Sequence, residues 1–189
     1  MSDVTSRSNN ATDTGLAFRC ADTADADAIV ALVNSAYRGD SSRAGWTTEA
    51  DLLGGQRTDA QEIAQLIARD CSTLLLCLCA GELVGSVHVE RVDDATAYLG
   101  MLVIRPVLQG AGLGRVLMDE AERFARVEWG AARVQMQVIT LRQELIAWYE
   151  RRGYRRSGEH RPFPADDPRF GLPRVEGLEF EVLEKDLTG

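Results

Sequence analysis

Residues 104–115 read Ile-Arg-Pro-Val-Leu-Gln-Gly-Ala-Gly-Leu-Gly-Arg, and they decide the fold because they join an apolar strand to an amphipathic helix through a glycine-rich turn. Pro106 has no backbone N–H to give to a sheet, so it ends the strand. Gly110, Gly112 and Gly114 remove the side chains that would keep a ligand away from the backbone. The first N–H groups of the helix lack partners inside it, and the helix dipole adds positive charge there. The stretch therefore predicts a site for a phosphate or pyrophosphate.

Spacing separates three kinds of phosphate-binding loop. A P-loop ends in Gly-Lys-Ser/Thr, whereas residues 114–116 read Gly-Arg-Val, which excludes it. A dinucleotide-binding fingerprint needs a third glycine three residues after the second, and neither Gly110 nor Gly112 has a glycine in the required place. The pattern that fits is Gln/Arg-x-x-Gly-x-Gly, which residues 109–114 supply after an apolar strand and a proline.

This pattern resembles the glycine loop of the GNAT superfamily of acyl-CoA-dependent N-acyltransferases. By itself the loop could equally be a plain strand-to-helix turn, but a second motif favours the family. Residues 145–154 read Leu-Ile-Ala-Trp-Tyr-Glu-Arg-Arg-Gly-Tyr and are similar to the family's helix, in which a tyrosine precedes a charged pair, a glycine and an aromatic residue. The resemblance covers roughly residues 17–154, the usual size of one domain.

Composition fits one globular domain. The 189 residues are 45% hydrophobic, which suffices for one buried core and is small for two domains. Residues 1–15 are rich in Ser, Asn, Thr and Asp, so we expect a disordered tail before a single acetyltransferase domain over residues 16–189. The sequence has no apolar stretch that resembles a signal peptide or a membrane span, so we expect a soluble cytoplasmic protein without a membrane partner.

The net charge and the spacing of the histidines argue against a nucleic-acid-binding protein and against a metalloprotein. A net charge of −8 disfavours a nucleic-acid partner held by a basic surface, and it is compatible with a cationic amine substrate. The two histidines, His88 and His160, stand far from any Cys and His spacing that holds a metal. We therefore expect neither a metal site nor disulfides.

Hydrophobic periodicity predicts the element order β, α, α, β, β, β, α, β, α, β, β. Its central part is an antiparallel meander of three strands over 73–79, 83–90 and 96–104, and the helix after the glycine loop ends near Gly130. This order indicates an α/β fold of the mixed α+β kind with helices on both faces of the sheet. The resemblance implies a GNAT-like, mostly antiparallel sheet that splays on either side of the glycine-loop helix to admit acetyl-CoA.

The resemblance also implies where acetyl-CoA would bind. The pantetheine arm would pair with the backbone of Leu102, Val103 and Ile104, because a splayed strand leaves N–H and C=O groups unpaired; the same side chains would also suit ordinary sheet core. The pyrophosphate would lie over a loop made of Gln109, Gly110, Ala111, Gly112, Leu113, Gly114 and Arg115. Many family members have asparagine seven residues before the tyrosine, where this chain has Arg142, a candidate contact near the thiol or the 3′-phosphate.

In this family an amine attacks the thioester directly in a ternary complex, so the site needs a proton acceptor for the amine and a donor for the thiolate. Tyr149 matches the family's donor position, although it could also be a packing aromatic. The strand over residues 96–104 lacks the glutamate that some members carry. Glu90, at the end of the preceding strand, is the candidate base, with His88, Glu49 and Asp51 as alternatives.

Residues 38–57 and the proline-rich loop 162–173 are expected to overhang the cleft and choose the acceptor. Trp46, Glu49 and Arg57 are the candidate substrate contacts, because a flat apolar side chain beside a carboxylate suits an amine on a hydrophobic body; Trp46 could equally pin its loop to the core. The expected function is acetyl transfer from acetyl-CoA to a primary amine of a small molecule or peptide. Because of Arg142 and the missing strand carboxylate, a non-catalytic acyl-CoA-binding or sensing module stays open. Family members often form homodimers, but no sequence feature marks an interface.

Overall fold

A computed structural model describes residues 15–167 and 170–188, so the tail predicted over residues 1–15 lies outside the described residues except for its last residue. The strands are β1 (Leu16–Cys20), β2 (Leu53–Gly54), β3 (Ser72–Cys79), β4 (Glu82–Arg91), β5 (Thr96–Ile104), β6 (Arg133–Ile139), β7 (Arg155–Pro162), β8 (Leu172–Pro173) and β9 (Glu179–Asp186). The helices are α1 (Ala26–Tyr37), α2 (Gly39–Ser42), α3 (Ala60–Ala68), α4 (Leu113–Trp129) and α5 (Gln143–Glu150).

Aspartate side chains cap the 3-10 turn before α1 and the start of α3. Asp22 accepts a hydrogen bond in a capping box that opens a short 3-10 turn, and α1 follows directly. Asp59 caps α3 by accepting the N–H of Glu62 at 2.8 Å. The Glu62 carboxylate accepts from the hydroxyl of Thr58 at 2.7 Å.

Seven strands form one sheet in the order β1-β3-β4-β5-β6-β9-β7. Every neighbouring pair is antiparallel except β5 and β6, which are parallel because α4 connects them as a crossover. The predicted mixed, mostly antiparallel sheet is confirmed.

Alternating side chains of β3 show why helices cover both faces of the sheet. Leu74 and Leu76 are buried with the apolar residues of α1 and α3. Leu75 and Cys77 point to the opposite face and are buried in the cluster that contains the apolar residues of α4. Helices on both faces, as predicted, therefore follow from a central strand that is apolar on both sides.

The centre of the sheet opens between β5 and β6. These strands pair only from Thr96 to Tyr98 of β5 and diverge beyond that point, which confirms the expected splay. In the same part of β5 a bulge places Met101 and Leu102 opposite Val87, and Met101 has a positive φ of 47°. Residues other than glycine rarely adopt this backbone conformation. β-bulges often occur beside active sites, where they change the direction of backbone groups and side chains.

Two segments that looked irregular in the sequence are joined to each other. Residues 38–57 contain α2 and β2, and β2 pairs with β8 from the proline-rich loop. Arg38 donates from Nη2 to the carbonyl oxygen of Phe170 at 3.1 Å, and Arg174 donates from Nη1 to that of Ala50 at 2.9 Å. These paired loops, residues 38–57 and 170–174, cover the opening of the sheet. None of the helices in the described part of the chain is long and apolar enough to cross a membrane.

Candidate active site

The glycine loop begins α4 with backbone donors exposed. Gly110 and Gly112 have φ values of 88° and 82°, a region that favours glycine. Gly112 is the N-cap of α4, and its carbonyl accepts from the N–H of Arg115 at 3.1 Å. The backbone N–H groups of Gly110, Ala111 and Gly112 donate no hydrogen bond to any of the described residues. Such a row of unpaired donors at a helix start suits an anion.

A cleft of about 390 Å³ lies between the glycine loop, the end of β5 and α5; we call it the loop cleft. Of the predicted cofactor residues, those lining it are Leu102, Ile104, Gln109, Gly110, Gly112, Gly114 and Arg115. Val103 is 1% exposed and packs in the cluster with α1 on the other face, as strand alternation requires. Ala111 and Leu113 are not among the lining residues of this cleft.

Three arginines line the loop cleft: Arg115, Arg151 and Arg152. The guanidinium carbon of Arg152 lies 3.5 Å from the ring centre of Trp148, and its buried Nε has no acceptor among the described residues. Burial and then the charges of Arg151 and Arg115 lower the pKa of Arg152, which indicates a concentration of positive charge. Sequence reasoning missed Arg151 and Arg152, although they are the charged pair that follows the motif tyrosine.

A second space, the inner cavity, has a volume of about 120 Å³ and lies where β5 and β6 diverge, beneath the paired loops. Much of its wall is apolar and comes from β5, β6 and the paired loops. The charged residues that line it are Arg38, Glu49, Arg57 and Arg142. Glu49 and Arg57, the other two residues that the sequence offered as candidate substrate contacts, both line this cavity.

Tyr149 lies where the two spaces meet, since it lines both of them together with Tyr37, Leu102 and Leu145. It is 7% exposed, and its hydroxyl makes no hydrogen bond to any described residue. The hydroxyl of Tyr37, by contrast, donates to the carbonyl oxygen of Leu102 at 2.8 Å. Burial raises the pKa of Tyr149 above its ordinary value, so the phenol stays protonated at neutral pH. Tyr149 therefore has an uncommitted proton at the junction.

Arg142 braces a loop. It is 5% exposed, and it donates to the carbonyl oxygens of Trp46 at 2.9 Å and Thr47 at 3.2 Å. Its Nε lies 2.8 Å from a carboxylate oxygen of Glu144. Arg142 lines the inner cavity and is not among the lining residues of the loop cleft, so its expected contact with the cofactor stays a prediction.

Trp46, a predicted substrate contact, is held by the side chain of Gln109 and lines the loop cleft. Its N–H donates to Oε1 of Gln109 at 2.9 Å, while Nε2 of Gln109 bonds Thr47 Oγ1 at 2.8 Å and the carbonyl oxygen of Ile104 at 3.0 Å. These bonds hold residues 46–47 against the end of β5. As a result the Trp46 ring centre lies 5.8 Å from that of Trp148, and the Trp46 side chain lines the loop cleft and not the inner cavity.

Among the four candidate bases, Glu49 alone lines the inner cavity, where it forms an ion pair with Arg38. Glu90, the favoured candidate in the sequence, lines neither space and lies near Arg69 and His88, with nitrogen–oxygen distances of 3.6 and 3.8 Å. His88 is buried against Ser72, and burial lowers its pKa to about 4. The structure therefore does not bring Glu90 or His88 together with Tyr149.

Asp51, the fourth candidate, is exposed and paired with Arg43 at 2.7 Å. Within residues 15–167 and 170–188, no three His, Cys, Asp or Glu side chains group closely enough to hold a metal ion.

Two joined spaces therefore lie in a splayed sheet, and one of them is beside a loop whose free N–H groups suit an anion. The model of the acetyltransferase (GNAT) family matches residues 30–154, more than half of the chain, and the chain belongs to this family. It is an acetyltransferase, and acetyl-CoA is the donor that the family uses.

Solved structures agree on the fold. A variant of spermidine N-acetyltransferase SpeG from Vibrio cholerae is 14% identical over 93% of this chain and 96% of its own, with a TM-score of 0.67. YncA from Salmonella typhimurium, solved with its cofactor acetyl-CoA, is 20% identical over 92% of this chain and 95% of its own, with a TM-score of 0.66. No curated protein matches the sequence significantly.

Proposed function

We propose that the chain is an N-acetyltransferase that transfers the acetyl group of acetyl-CoA to a primary amine of a small molecule or peptide by direct attack in a ternary complex. The observation that carries this proposal is the position of Tyr149 at the junction of the loop cleft and the inner cavity. Two substrates that enter from these two sides would meet beside its hydroxyl.

The loop cleft would hold acetyl-CoA, which supplies the thioester. The free N–H groups of Gly110, Ala111 and Gly112 fit a pyrophosphate, and the unpaired Nε of Arg152 fits a further phosphate oxygen. The predicted pairing along β5 is compatible with the hydrogen bonds already made there. Each carbonyl oxygen of that strand has two lone pairs, so one that accepts from a side chain can accept a second donor.

The chemistry divides between two side chains. The amine nitrogen forms a bond to the thioester carbon, and the carbon–sulfur bond breaks with its electron pair on sulfur. Tyr149 would give its proton to that thiolate, and Glu49 would take the proton of the attacking amine through water. Glu90 lies outside the lining of both spaces, so the proposal assigns the base to Glu49 instead. Proton transfer back from Glu49 through solvent restores Tyr149.

The test combines binding with turnover. Calorimetric titration with acetyl-CoA and with CoA measures the donor site, and chromatography then measures CoA formed with a panel of amines. Chromatography is preferable to a thiol reagent because Cys20 and Cys79 are exposed and would react. We expect Glu49→Gln to lower kcat by about 10²- to 10⁴-fold, and Asp51→Asn, a neighbouring exposed carboxylate, to leave kcat unchanged.

The outcomes separate the alternatives. Binding of acetyl-CoA with CoA release in the presence of an amine supports the proposal. If acetyl-CoA binds but none of the amines leads to CoA release, the result contradicts the proposal and favours an acyl-CoA-sensing module. A protein that fails to bind acetyl-CoA contradicts the assignment of the loop cleft itself.

A further inference from the structure

The charges that line the inner cavity do not balance. The lining contains three arginines and a single carboxylate, Glu49. Arg38 is paired with that carboxylate, and Arg142 is paired with Glu144 and bonded to two loop carbonyls. The guanidinium of Arg57 has no hydrogen-bond acceptor or ion-pair partner among the described residues. One positive charge therefore remains at the wall of the cavity.

Arg57 is fixed at this wall by its backbone. Its N–H donates to Oδ1 of Asn34 at 2.7 Å, and its guanidinium carbon lies 5.9 Å from the ring centre of Tyr37. Burial raises the pKa of Tyr37 and of Tyr98, and the positive charge of Arg57 opposes both increases. Both tyrosines line the cavity, so the field of Arg57 reaches its interior.

Arg38 adds a second unsatisfied donor to the same wall. Its Nε is buried and has no acceptor among the described residues, although its other nitrogens bond Glu49 and the carbonyl oxygen of Phe170. A buried N–H of a charged group without an acceptor is costly, because it has lost water and gained nothing. An oxyanion in the cavity would satisfy such donors.

We propose that the acceptor is a small amino acid, whose carboxylate binds Arg57 while its amine faces Tyr149 and Glu49. This inference rests on the proposed function and names its substrate class. Phe163, Phe170 and Phe180 line the same cavity and suit an apolar side chain. The cavity, about 120 Å³, is much smaller than the loop cleft of about 390 Å³, which favours a compact acceptor.

A polyamine fits this cavity poorly. It would bring a second cation beside Arg57 with Glu49 already paired to Arg38, and like charges in a partly buried site repel. The net charge of −8 describes the whole sequence, and the local excess of arginine at the cavity decides which acceptor binds. The structure therefore indicates the opposite charge preference to the one that composition suggests.

The experiment uses matched acceptor pairs that differ by one carboxylate: leucine with 3-methylbutylamine, methionine with 3-(methylthio)propylamine, and phenylalanine with 2-phenylethylamine, with spermidine as the polycation. The readout is kcat/KM from CoA formation at saturating acetyl-CoA. We expect at least one amino acid to exceed its decarboxylated partner and spermidine by about tenfold or more, the worth of one hydrogen bond between charged groups.

Arg57→Gln should reduce the preference of the enzyme for the amino acid over its partner by about 10- to 100-fold, mainly through KM for the amino acid. Arg57→Lys keeps the charge and should restore part of the preference. Arg126→Gln removes an exposed arginine of α4 that does not line the cavity, and it should leave the preference unchanged.

Three results would overturn the inference. The first is that spermidine or a decarboxylated amine is the best acceptor, and the second is that Arg57→Gln slows both members of a pair equally. Either result leaves the proposed acetyltransferase activity intact and refutes recognition of an acceptor carboxylate by Arg57. If no amine yields CoA although acetyl-CoA binds, the proposed function fails and the inference fails with it.

Discussion

Removal of one oxygen, in Tyr149→Phe, is the sharpest perturbation of the proposed mechanism. The ring centre of Tyr149 lies 5.0 Å from that of Trp148 and 5.6 Å from that of Tyr154, and phenylalanine keeps both contacts. Since the hydroxyl bonds no described residue, its loss leaves no protein group unpaired. We expect the free energy of unfolding to change by less than about 1 kcal/mol, the worth of one intramolecular hydrogen bond.

The catalytic effect should be much larger than the structural one. Loss of a general acid lowers turnover by about 10²- to 10⁴-fold, which corresponds to about 3 to 5 kcal/mol of transition-state stabilisation. The affinity for acetyl-CoA and KM for the amine should stay within about twofold, because the hydroxyl acts only as the thiolate forms. Burial raises the pKa of Tyr149, so the wild-type enzyme should keep this proton up to at least pH ~10.

The assay is kcat from CoA formation, with acetyl-CoA affinity from calorimetry and stability from urea unfolding. Tyr154→Phe is the matched control, since Tyr154 lines neither space and its hydroxyl donates to Glu122 at 2.9 Å. It should lower stability by about 1 kcal/mol and leave kcat intact. A Tyr149→Phe enzyme with wild-type kcat would refute the role of this hydroxyl.

Three further predictions concern the glycine loop, a buried histidine and a partly buried ion pair. Gly112→Ala should weaken acetyl-CoA binding by about tenfold. Gly130→Ala is the control, because Gly130 also has a positive φ and open space around an added Cβ; it should cause similar backbone strain and leave binding unchanged. Equal losses of binding in the two variants would contradict the loop assignment. Burial lowers the pKa of His88 to about 4 in the folded protein. The stability that neutral His88 contributes is therefore present above pH ~6.5 and is lost as the pH falls towards 4, by up to about 3 kcal/mol of the free energy of unfolding. Urea unfolding across this range should show a fall in stability with pH that His88→Gln reduces, and an identical fall in the variant would exclude this histidine as the cause. Glu122→Gln removes the charge that lies 2.6 Å from Nζ of Lys185 and should lower the free energy of unfolding by about 1 to 3 kcal/mol; an unchanged urea midpoint would show that the pair contributes nothing.

The parts of the fold that local chemistry determines were predictable from the sequence. β5 spans Thr96–Ile104 as predicted, because Pro106 and a polar turn bound an apolar run. α4 ends at Trp129, since Gly130 adopts a φ of 67° at its C-cap. The pairing of β2 with β8 was not predictable, because each strand has two residues and their contact joins distant segments without any alternating pattern.

The site divides in the same way. Tyr149 and the glycine loop carry short-range motifs, and both lie at the junction or along the loop cleft. The position of Trp46 depends on the side chain of Gln109, which is far along the chain and gives no periodic signal. Glu90 was chosen for its place near a strand end; it pairs with Tyr98 across β4 and β5, but it lines neither of the two spaces. The positive φ of Met101 also had no signal, since the residue is an ordinary apolar strand residue.

The central claim is that the reacting groups meet beside Tyr149, and a crystal structure of the protein with CoA and an accepted amine tests it most directly. The account predicts the CoA sulfur within hydrogen-bonding distance of the Tyr149 hydroxyl, the phosphates on the N–H groups of the glycine loop, and the amine in the inner cavity. CoA bound with its sulfur away from Tyr149, or an amine bound outside the inner cavity, would contradict it.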